Sequence, residues 1–324
     1  MTTPYSQWIR KIGLFVVKDR DTSAPADIAV DLSEFHIKFE IQNTDLETPN
    51  SAVIRIYNMS KDTLKRIRGE FSTVILNAGY ENGNYGVIFR GTIKQYRIGR
   101  ENGTDTYLDI FAADDDVFYT QGLVNTSLSK GSTPVEAMKA AVGEAGVDFG
   151  ALSITKQNVP SIRGVVLAGM ARARLRNMVT YLDAGWTIED GKIVVTDNSG
   201  YRDGEAIVLN SATGLIGLPQ QTDGGITVRC LLNSRIRIGG QVVLNNSEII
   251  KLMQADPNAA PIAYNQWSGF QFVAGLNGDP EGEGSYRAFS VEHEGDTRGT
   301  PWYTKLICLS INETVPKNES VDPN

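Results

Sequence analysis

The first third of the chain is dominated by runs in which apolar and polar positions alternate. β-Branched and aromatic residues are concentrated in residues 13–17, 35–41, 52–58, 73–80, 87–98 and 106–112, and this composition predicts strands. One helix is predicted after residue 59, where Ser60 can cap it, Leu64 and Ile67 form an apolar stripe and Gly69 can end it. We therefore expect residues 1–116 to form a small β-barrel with one short helix packed on it.

Two local patterns refine this picture of the first third. Val53, Arg55 and Tyr57 alternate with Ile54 and Ile56, a mixed pattern that favours a sheet covered on both sides. The segments ENGNYG (81–86) and RENGTD (100–105) each contain an Asn-Gly pair, and we expect these pairs to supply the positive φ that tight hairpins need.

A helical period replaces the strand period in residues 117–205. Thr133 and Glu136 have the spacing of a capping box, with Pro134 at the first helical position. A second helix is predicted near residues 171–185, because apolar residues recur there at helical spacing; they are Leu175, Met178, Val179 and Leu182. A hairpin turning at Asp190-Gly191 follows. We predict a compact α/β module.

The last third, residues 206–324, returns to the strand pattern, with a long insertion at about 245–285 whose sequence has no assignable period. Residues 89–111 and 286–308 both have the order strand, polar turn with Gly-Thr, strand. This similarity indicates that the first and last thirds are variants of one barrel. The predicted fold class is thus mainly β, of the α+β type, with two barrel domains flanking a smaller α/β module.

Composition and charge narrow the possible partners. The 324 residues have a net charge of -7 and a pI of about 5.1, so nucleic acid is not expected as the main partner. The N-terminal apolar run, residues 13–17, is too short for a signal sequence or a membrane span, and we expect a cytosolic chain without membrane insertion. Cys230 and Cys308 lie in strand-like runs and are expected to be free buried thiols.

Two clusters have residue types that suit metal or acid–base chemistry. His293, Glu294 and Asp296 lie in HEGDTRG, which we interpret as a hairpin turn where Asp296 accepts backbone N–H bonds. Asp114, Asp115 and Asp116 could bind a divalent cation, but without the spacing of a calcium loop they are expected to cap a helix or keep a domain junction solvated. We predict no catalytic residue, metal site or cofactor, although two distant carboxylates could still form a glycosidase pair.

Several surface residues are candidates for partner contacts. Two basic clusters lie on the predicted helices: Lys61, Lys65, Arg66 and Arg68, and Arg172, Arg174 and Arg176. Each is either a solvated face or an ion-pair contact with an acidic neighbouring subunit. Tyr264, Trp267, Phe270 and Phe272 form an aromatic segment that is typical of an interface, with packing in the chain's own core as the alternative.

Three segments together carry a resemblance to a known family. Residues 35–67, residues 213–244 and the segment HEGDTRGTPWYTKLICL (293–309) resemble, in this order, the baseplate hub proteins of contractile-tailed bacteriophages, the Mu-like tail hub family. The resemblance implies two barrel domains akin to the tail-tube subunit, so that a homotrimer presents six barrels in a ring. Such a ring joins the six-fold tail tube to the three-fold spike and forms part of the channel for DNA.

The resemblance also implies a location and a set of partners. The chain is expected in the tail baseplate of a virion assembled in the host cytoplasm, in contact with the tail tube protein, the central spike protein and other baseplate (wedge) proteins. DNA would only pass through in transit. Two other functions stay open: a tail-associated cell-wall hydrolase using Glu294 or Asp296, and a carbohydrate-binding tail protein that stacks sugars on Trp267 and Trp302.

Overall fold

The computed structural model describes residues 7–18, 29–114, 116–155, 159–217, 219–222, 225–244 and 284–310, and its architecture is mainly β. The first third contributes seven strands, β1 Arg10–Val17, β2 Ala29–Asp31, β3 Ile37–Thr44, β4 Ser51–Tyr57, β5 Thr73–Tyr80, β6 Tyr85–Arg100 and β7 Thr106–Ala113. Helix α1, Lys61–Glu70, lies between β4 and β5. All six strands predicted in this region are confirmed, and β2 was not predicted.

Helix α1 begins as predicted and ends later than predicted. The Ser60 side chain accepts a hydrogen bond from the Thr63 N–H at the N-terminus, and Ile67 is the buried residue of the helix. The prediction that Gly69 ends α1 is wrong, because the helix continues to Glu70 and its C-cap is Phe71. Phe71 is buried and its N–H still bonds the Ile67 carbonyl, which keeps the last turn helical through Gly69.

Strand β4 is buried on one side and unevenly covered on the other. Ile54 and Ile56 are fully buried, whereas on the opposite face Val53 is 36% exposed and Tyr57 only 4%. The expectation of a sheet covered on both sides therefore holds at Tyr57 and fails at Val53. The turn between β6 and β7 also differs from the prediction, because Gly103 does not adopt positive φ. The Asn102 side chain shapes this turn by accepting the N–H groups of Thr104 and Asp105.

The middle region alternates helices and strands as predicted. It comprises α2 Asp116–Gln121, β8 Leu123–Leu128, α3 Pro134–Glu144, β9 Asp148–Ser153, β10 Val165–Met170, α4 Ala171–Tyr181, β11 Ala184–Glu189 and β12 Lys192–Asp197. Strands β11, β12 and β9 form a three-stranded sheet, and β8 pairs with β10 in a separate two-stranded ribbon. Asp190 and Gly191 both have positive φ in the β11–β12 turn, as the hairpin prediction requires.

Helix α3 lies between the three-stranded sheet and the β8–β10 ribbon. Both hydrogen bonds of the predicted capping box form, from the Glu136 N–H to Thr133 and from the Thr133 N–H to Glu136. Met138 and Val142 face the core that contains Trp186, while Ala137 and Ala141 face the ribbon residues Val124 and Leu167. The ribbon is consequently an outer layer of the module.

The last third adds the remaining strands. They are β13 Ile207–Leu209, β14 Gln220–Thr222, β15 Gly225–Leu231, β16 Gln241–Leu244, β17 Gly284–Asp296 and β18 Trp302–Ser310, with a 3-10 turn at Ser211–Thr213. Residues 245–283 of the predicted insertion lie outside the described residues, whereas residues 284 and 285 belong to β17. Cys230 and Cys308 are free and buried as expected, and burial raises the pKa of each thiol to about 12.

One continuous sheet joins the two ends of the chain. Its strands follow the order β14-β15-β18-β17-β3-β4-β7-β6-β5-β1-β2, and β16 pairs with β17 and with β13. The junction is the antiparallel pairing of β17 with β3, from Ser290 opposite Thr44 to Asp296 opposite Lys38. Among the described strands, no ladder closes on itself into a barrel.

The three largest hydrophobic cores among the described residues follow the three predicted regions. One contains the inward residues of β1 and β3 to β7 together with Trp302, the second belongs to the middle module, and the third is built from β13 and β15 to β18. Side-chain hydrogen bonds connect β1 with the β17–β18 turn beside the first core. Arg10 at the start of β1 donates to the carbonyls of Gly299 and Thr300 in that turn, at 2.7 and 2.9 Å.

Candidate assembly interface

His293 and Glu294 point to opposite faces of β17. His293 was expected in a turn, but it lies within the strand and is 2% exposed, with Nδ1 3.0 Å from the Thr304 hydroxyl. Burial, with a smaller contribution from the Arg237 cation, lowers the pKa of His293 to about 3. Glu294 is exposed and stands directly opposite Glu40 of β3. These two side chains therefore do not form one site.

Asp296 has the turn role that the sequence predicted. Its Oδ1 accepts the backbone N–H groups of Arg298 and Gly299, at 2.9 and 2.8 Å, and lies 2.8 Å from His36 Nε2. Burial alone would raise the pKa of Asp296, but these bonds outweigh it and lower the pKa below its usual range. The cluster of His293, Glu294 and Asp296 is thus part of the strand and turn structure at the end of β17 and not a single chemical site. Within the described residues, no three His, Cys, Asp or Glu side chains are grouped to hold a metal ion.

Asp114 is buried at the junction between the large sheet and the α/β module. The expectation of a solvated or helix-capping residue is wrong, because Asp114 is 2% exposed and its Oδ1 accepts the Gly191 N–H at 2.7 Å. Burial, followed by repulsion from Asp190, raises the pKa of Asp114 to about 8. Asp115 lies outside the described residues, as does the side chain of Asp116.

Half-buried ion pairs surround the same junction and were not recognised in the sequence. Arg237, in the last third, reaches Glu189 at 3.2 Å and Asp190 at 2.9 Å in the β11–β12 turn. It also donates to the Val87 carbonyl of β6 at 3.1 Å, while Arg202 bonds the second oxygen of Glu189. A single guanidinium therefore connects all three regions of the chain, which are far apart in sequence.

The three arginines of α4 all have partners in their own chain. Arg172 donates to the Tyr119 carbonyl at 2.9 Å, and Arg174 to the Ala168 carbonyl at 2.7 Å. Arg176 bonds Glu47 in the loop after β3. These contacts do not test the predicted role of Arg172, Arg174 and Arg176 at a partner interface, since Arg176 remains 52% exposed at its side chain.

The other predicted contact residues divide into two groups. The aromatic candidates Tyr264, Trp267, Phe270 and Phe272 lie outside the described residues. The basic residues of α1 are all exposed; they are Lys61, Lys65, Arg66 and Arg68. Of these four, Arg66 pairs with an acidic residue of the same helix, Glu70, at 3.7 Å. Helix α1 thus presents a charged outer face.

The α/β module covers one part of the outward face of the large sheet, at Arg287 of β17, which is 3% exposed and donates to the Asp197 carbonyl. Asp109 of β7 is fully buried in this face between Arg55 of β4 and Arg97 of β6, at 2.6 and 2.7 Å. The register extends this row of charges to Lys38 and Asp296. Acidic and basic side chains stand beside one another on the strands around this row; the basic ones are Lys38, Arg55, Arg97, Arg229 and Lys305, and the acidic ones are Glu40, Asp109, Glu292, Glu294 and Asp296.

The β6–β7 and β17–β18 hairpins share two features. Each has a long first strand with a bulge, between Ile93 and Gln95 in β6 and between Ala288 and Ser290 in β17. Beyond the bulge, β17 is paired on its other edge with β3. The corresponding edge of β6, residues 95–100, has no strand beside it among the described residues.

The fold defines a class of protein. At 11% identity, the chain resembles a tail protein from Neisseria meningitidis MC58 with a TM-score of 0.53, over 95% of this chain and 98% of that one. The 43 kDa tail protein of prophage MuSo2 from Shewanella oneidensis matches with a TM-score of 0.54 and 7% identity, over 93% and 98% of the two chains. The chain thus has the fold of phage tail proteins.

A third solved structure extends the same fold beyond phages. The E. coli c3393 protein, described as a component of the type VI secretion system similar to the T4 bacteriophage tail proteins gp27 and gp5, matches with a TM-score of 0.51 and 11% identity. The match covers 92% of this chain and 77% of that one. A search of curated proteins gave no match.

A comparison of the sequence with family models identifies the family of the chain. The model of the family described as Baseplate hub gp41 matches residues 29–251, more than half of the chain. The protein therefore belongs to the Baseplate hub gp41 family, and the resemblance to phage baseplate hubs is confirmed. It is a structural protein of the tail baseplate. None of the described helices has the length and apolar character needed to cross a membrane.

Proposed function

We propose that three copies of this protein form a hub that joins the six-fold tail tube to the three-fold spike. The two end regions would act as two barrel-like domains, so that the trimer presents six of them to the tube. The proposal is supported by two hydrophobic cores that share one sheet, with a matching hairpin in each. The middle module, with its own core, would flank the ring.

The open edge of β6 carries this proposal. Its counterpart on β17 is covered by β3 of the same chain, so a similar strand is expected on residues 95–100 from a neighbouring copy. Strand β14 ends the sheet path at the opposite side and pairs only with β15 among the described strands. Unpaired strand edges add further strands readily. Joining β14 of one copy to β6 of the next would close a ring.

A charge placed on this edge tests ring formation. Replacing Ile98 (47% exposed) with lysine should weaken trimer formation by about tenfold or more, since lysine on a strand edge blocks further pairing. Val208 is also on a strand and 46% exposed, so Val208→Lys is the matched control and should leave the trimer intact. Light scattering at micromolar concentration measures the difference. A wild-type chain that stays monomeric and also binds neither tube nor spike subunits would refute the proposal.

The outward sheet face is proposed to line the channel through which DNA passes. The pairing of its basic side chains with acidic ones supports this role, because a cation already paired with a carboxylate attracts a polyanion less strongly. Cysteine at Val53, on this face, should react with a bulky maleimide in the isolated hub and be protected in assembled particles. Cysteine at Leu46, an exposed loop residue outside this face, serves as the control. Equal labelling of both positions in particles would exclude the channel assignment.

We also propose that the protein has no catalytic activity of its own, and that the spike, tube and wedge proteins are its partners in a virion assembled in the host cytoplasm. Asp296 already accepts two backbone N–H groups in its turn, which supports a non-catalytic role over the hydrolase alternative. Purified protein should release no product from peptidoglycan. Release that is lost in Glu294→Gln or Asp296→Asn would instead support a hydrolase.

A further inference from the structure

The outward face of the β8–β10 ribbon exposes large apolar side chains beside the polar Asn125 and Ser127. Leu123 and Val166 project from this face and are 63% and 74% exposed, and Val159 and Ile162 in the segment before β10 are 52% and 83% exposed. The opposite face of the ribbon already packs on α3 through Val124 and Leu167. Large apolar side chains exposed in one region are typical of protein interaction sites.

The ribbon also has an open backbone edge. The Ala168 carbonyl accepts the Arg174 side chain at 2.7 Å, so it points away from β8. In an antiparallel ladder the opposite residue, Asn125, then directs its own N–H and C=O away from β10. The same alternation applies to Leu123 and Ser127, and no described strand lies beside them. Strand β8 can therefore accept an additional extended strand.

The part of the middle module that contains the ribbon has a net charge opposite in sign to that of the rest of the chain. Residues 122–182 contain seven Lys and Arg and three Asp and Glu, a net charge of +4, which leaves -11 on the remaining residues of a chain of net charge -7. Residues 122–132 and 159–170, which build the ribbon, contain no Asp or Glu. Lys130 and Arg163 are exposed at one end of the ribbon. Its charge complements an acidic partner.

The ribbon is separate from the strand edges of the proposed ring. The module contacts the large sheet through its β11–β12 hairpin, where Asn50 Nδ2 donates to the Ile188 carbonyl at 2.6 Å and Thr187 Oγ1 to the Thr44 carbonyl at 3.1 Å. The ribbon packs on another side of α3 than the three-stranded sheet does. Since the proposed ring uses the edges of β6 and β14, we infer that a strand bound to the ribbon comes from another protein.

We propose that the β8 edge and the apolar ribbon face bind an extended segment, acidic and apolar in composition, of a different protein in the assembled particle. The segment would add a strand beside Leu123, Asn125 and Ser127, and its continuation across the outward face would place apolar side chains against Val166 and Ile162. Its carboxylates would pair with Lys130 and Arg163. The choice of a different protein as the partner rests on the proposed ring, whose contacts use the edges of β6 and β14 and not the ribbon.

Photocrosslinking in assembled particles tests this proposal directly. Benzoylphenylalanine at Val166, and in a second variant at Ile162, should give an adduct with a non-hub particle protein. The crosslinked peptide, identified by mass spectrometry, should have net negative charge. The same probe at Val208, an exposed strand valine in the last third, is the matched control and should not give this adduct.

Charge reversal adds a second, independent outcome. Lys130→Glu combined with Arg163→Glu should reduce the adduct by about tenfold or more, because like charges then face each other across the contact. Lys139→Glu, an exposed α3 substitution, should leave the yield unchanged. An adduct with a second hub copy, a partner peptide without net negative charge, no adduct at either position in assembled particles, or a yield insensitive to charge reversal would each overturn the proposal.

Discussion

At the scale of single residues, His293 is a neutral imidazole whose titration is coupled to folding. Its pKa of about 3 in the folded protein lies below the ordinary value of 6.5, so the unfolded chain takes up the proton first as pH falls. The free energy of unfolding should be fully retained above pH 6.5 and should fall by about 1–2 kcal/mol between pH 6.5 and 5. Urea titrations at the two pH values measure this.

The variant His293→Gln should remove this dependence on pH, because glutamine cannot take up the proton. Thr304→Val is the matched control, since it removes the hydrogen-bond partner but leaves the imidazole buried. It should therefore keep the slope. A slope that persists in His293→Gln would show that other groups cause it.

Asp114 has the opposite dependence on pH. Its folded pKa of about 8 lies above the ordinary 3.8, so the folded protein holds the proton longer than the unfolded chain does. The free energy of unfolding should therefore fall as pH rises through 8, by on the order of 2 kcal/mol between pH 6 and 9. Thermal or urea unfolding of wild type and Asp114→Asn across this range measures it.

Asp114→Asn should be less sensitive to pH and more stable than wild type at pH 9, because asparagine stays neutral and can still accept the Gly191 N–H. Asp114→Ala should instead cost about 1–3 kcal/mol at every pH, since it leaves that buried N–H without its acceptor. A wild-type stability that rises between pH 6 and 9 would contradict the assignment.

At the scale of elements, the capping box of α3 is the clearest local stabilising device. Thr133→Ala removes the side chain that accepts the Glu136 N–H, and such a change typically costs about 1 kcal/mol. Urea unfolding should detect the loss. Thr180→Ala, at an exposed position of α4, is the matched control and should be nearly neutral; equal losses in both variants would indicate that the cap contributes nothing.

The same elements show how far sequence alone could predict this fold. The strands from β3 to β7, the caps of α1 and α3 and the Asp190-Gly191 turn were predictable because their signals lie within a few residues. The β8–β10 ribbon was missed, since its strands are separated by a helix and β9 and pair only in three dimensions. His293 was misassigned because the Gly and Asp after it indicate a turn that begins only after Asp296.

The candidate interface was even less visible in the sequence. Asp114 lies beside two other aspartates that suggest solvation, and its burial depends on a turn more than 70 residues away, at Gly191. The edge of β6 is open because none of the described strands pairs with it at residues 95–100. A local sequence pattern does not predict which strands will pair. The family resemblance was recognisable because it rests on the order of whole segments.

At the scale of the whole molecule, Arg237 should control how cooperatively the three regions unfold. Arg237→Leu leaves Asp190 and one oxygen of Glu189 without their cation at a half-buried junction. We expect a loss of at least about 1–3 kcal/mol and a calorimetric transition that separates into two. Arg235→Leu is the matched control, since its partner Glu205 is 77% exposed and exposed pairs contribute little. A single, unshifted transition in Arg237→Leu would refute this.

The pairing of β3 with β17 has a consequence for synthesis on the ribosome. Residues 38–44 emerge early, but the strand that covers their edge is made only when residues 290–296 have been translated. Until then the nascent subunit must be kept from pairing with other chains by chaperones or by its own slow folding. The large sheet is thus complete only after residues 290–296 have been translated, which delays the competence of the subunit to join a growing tail.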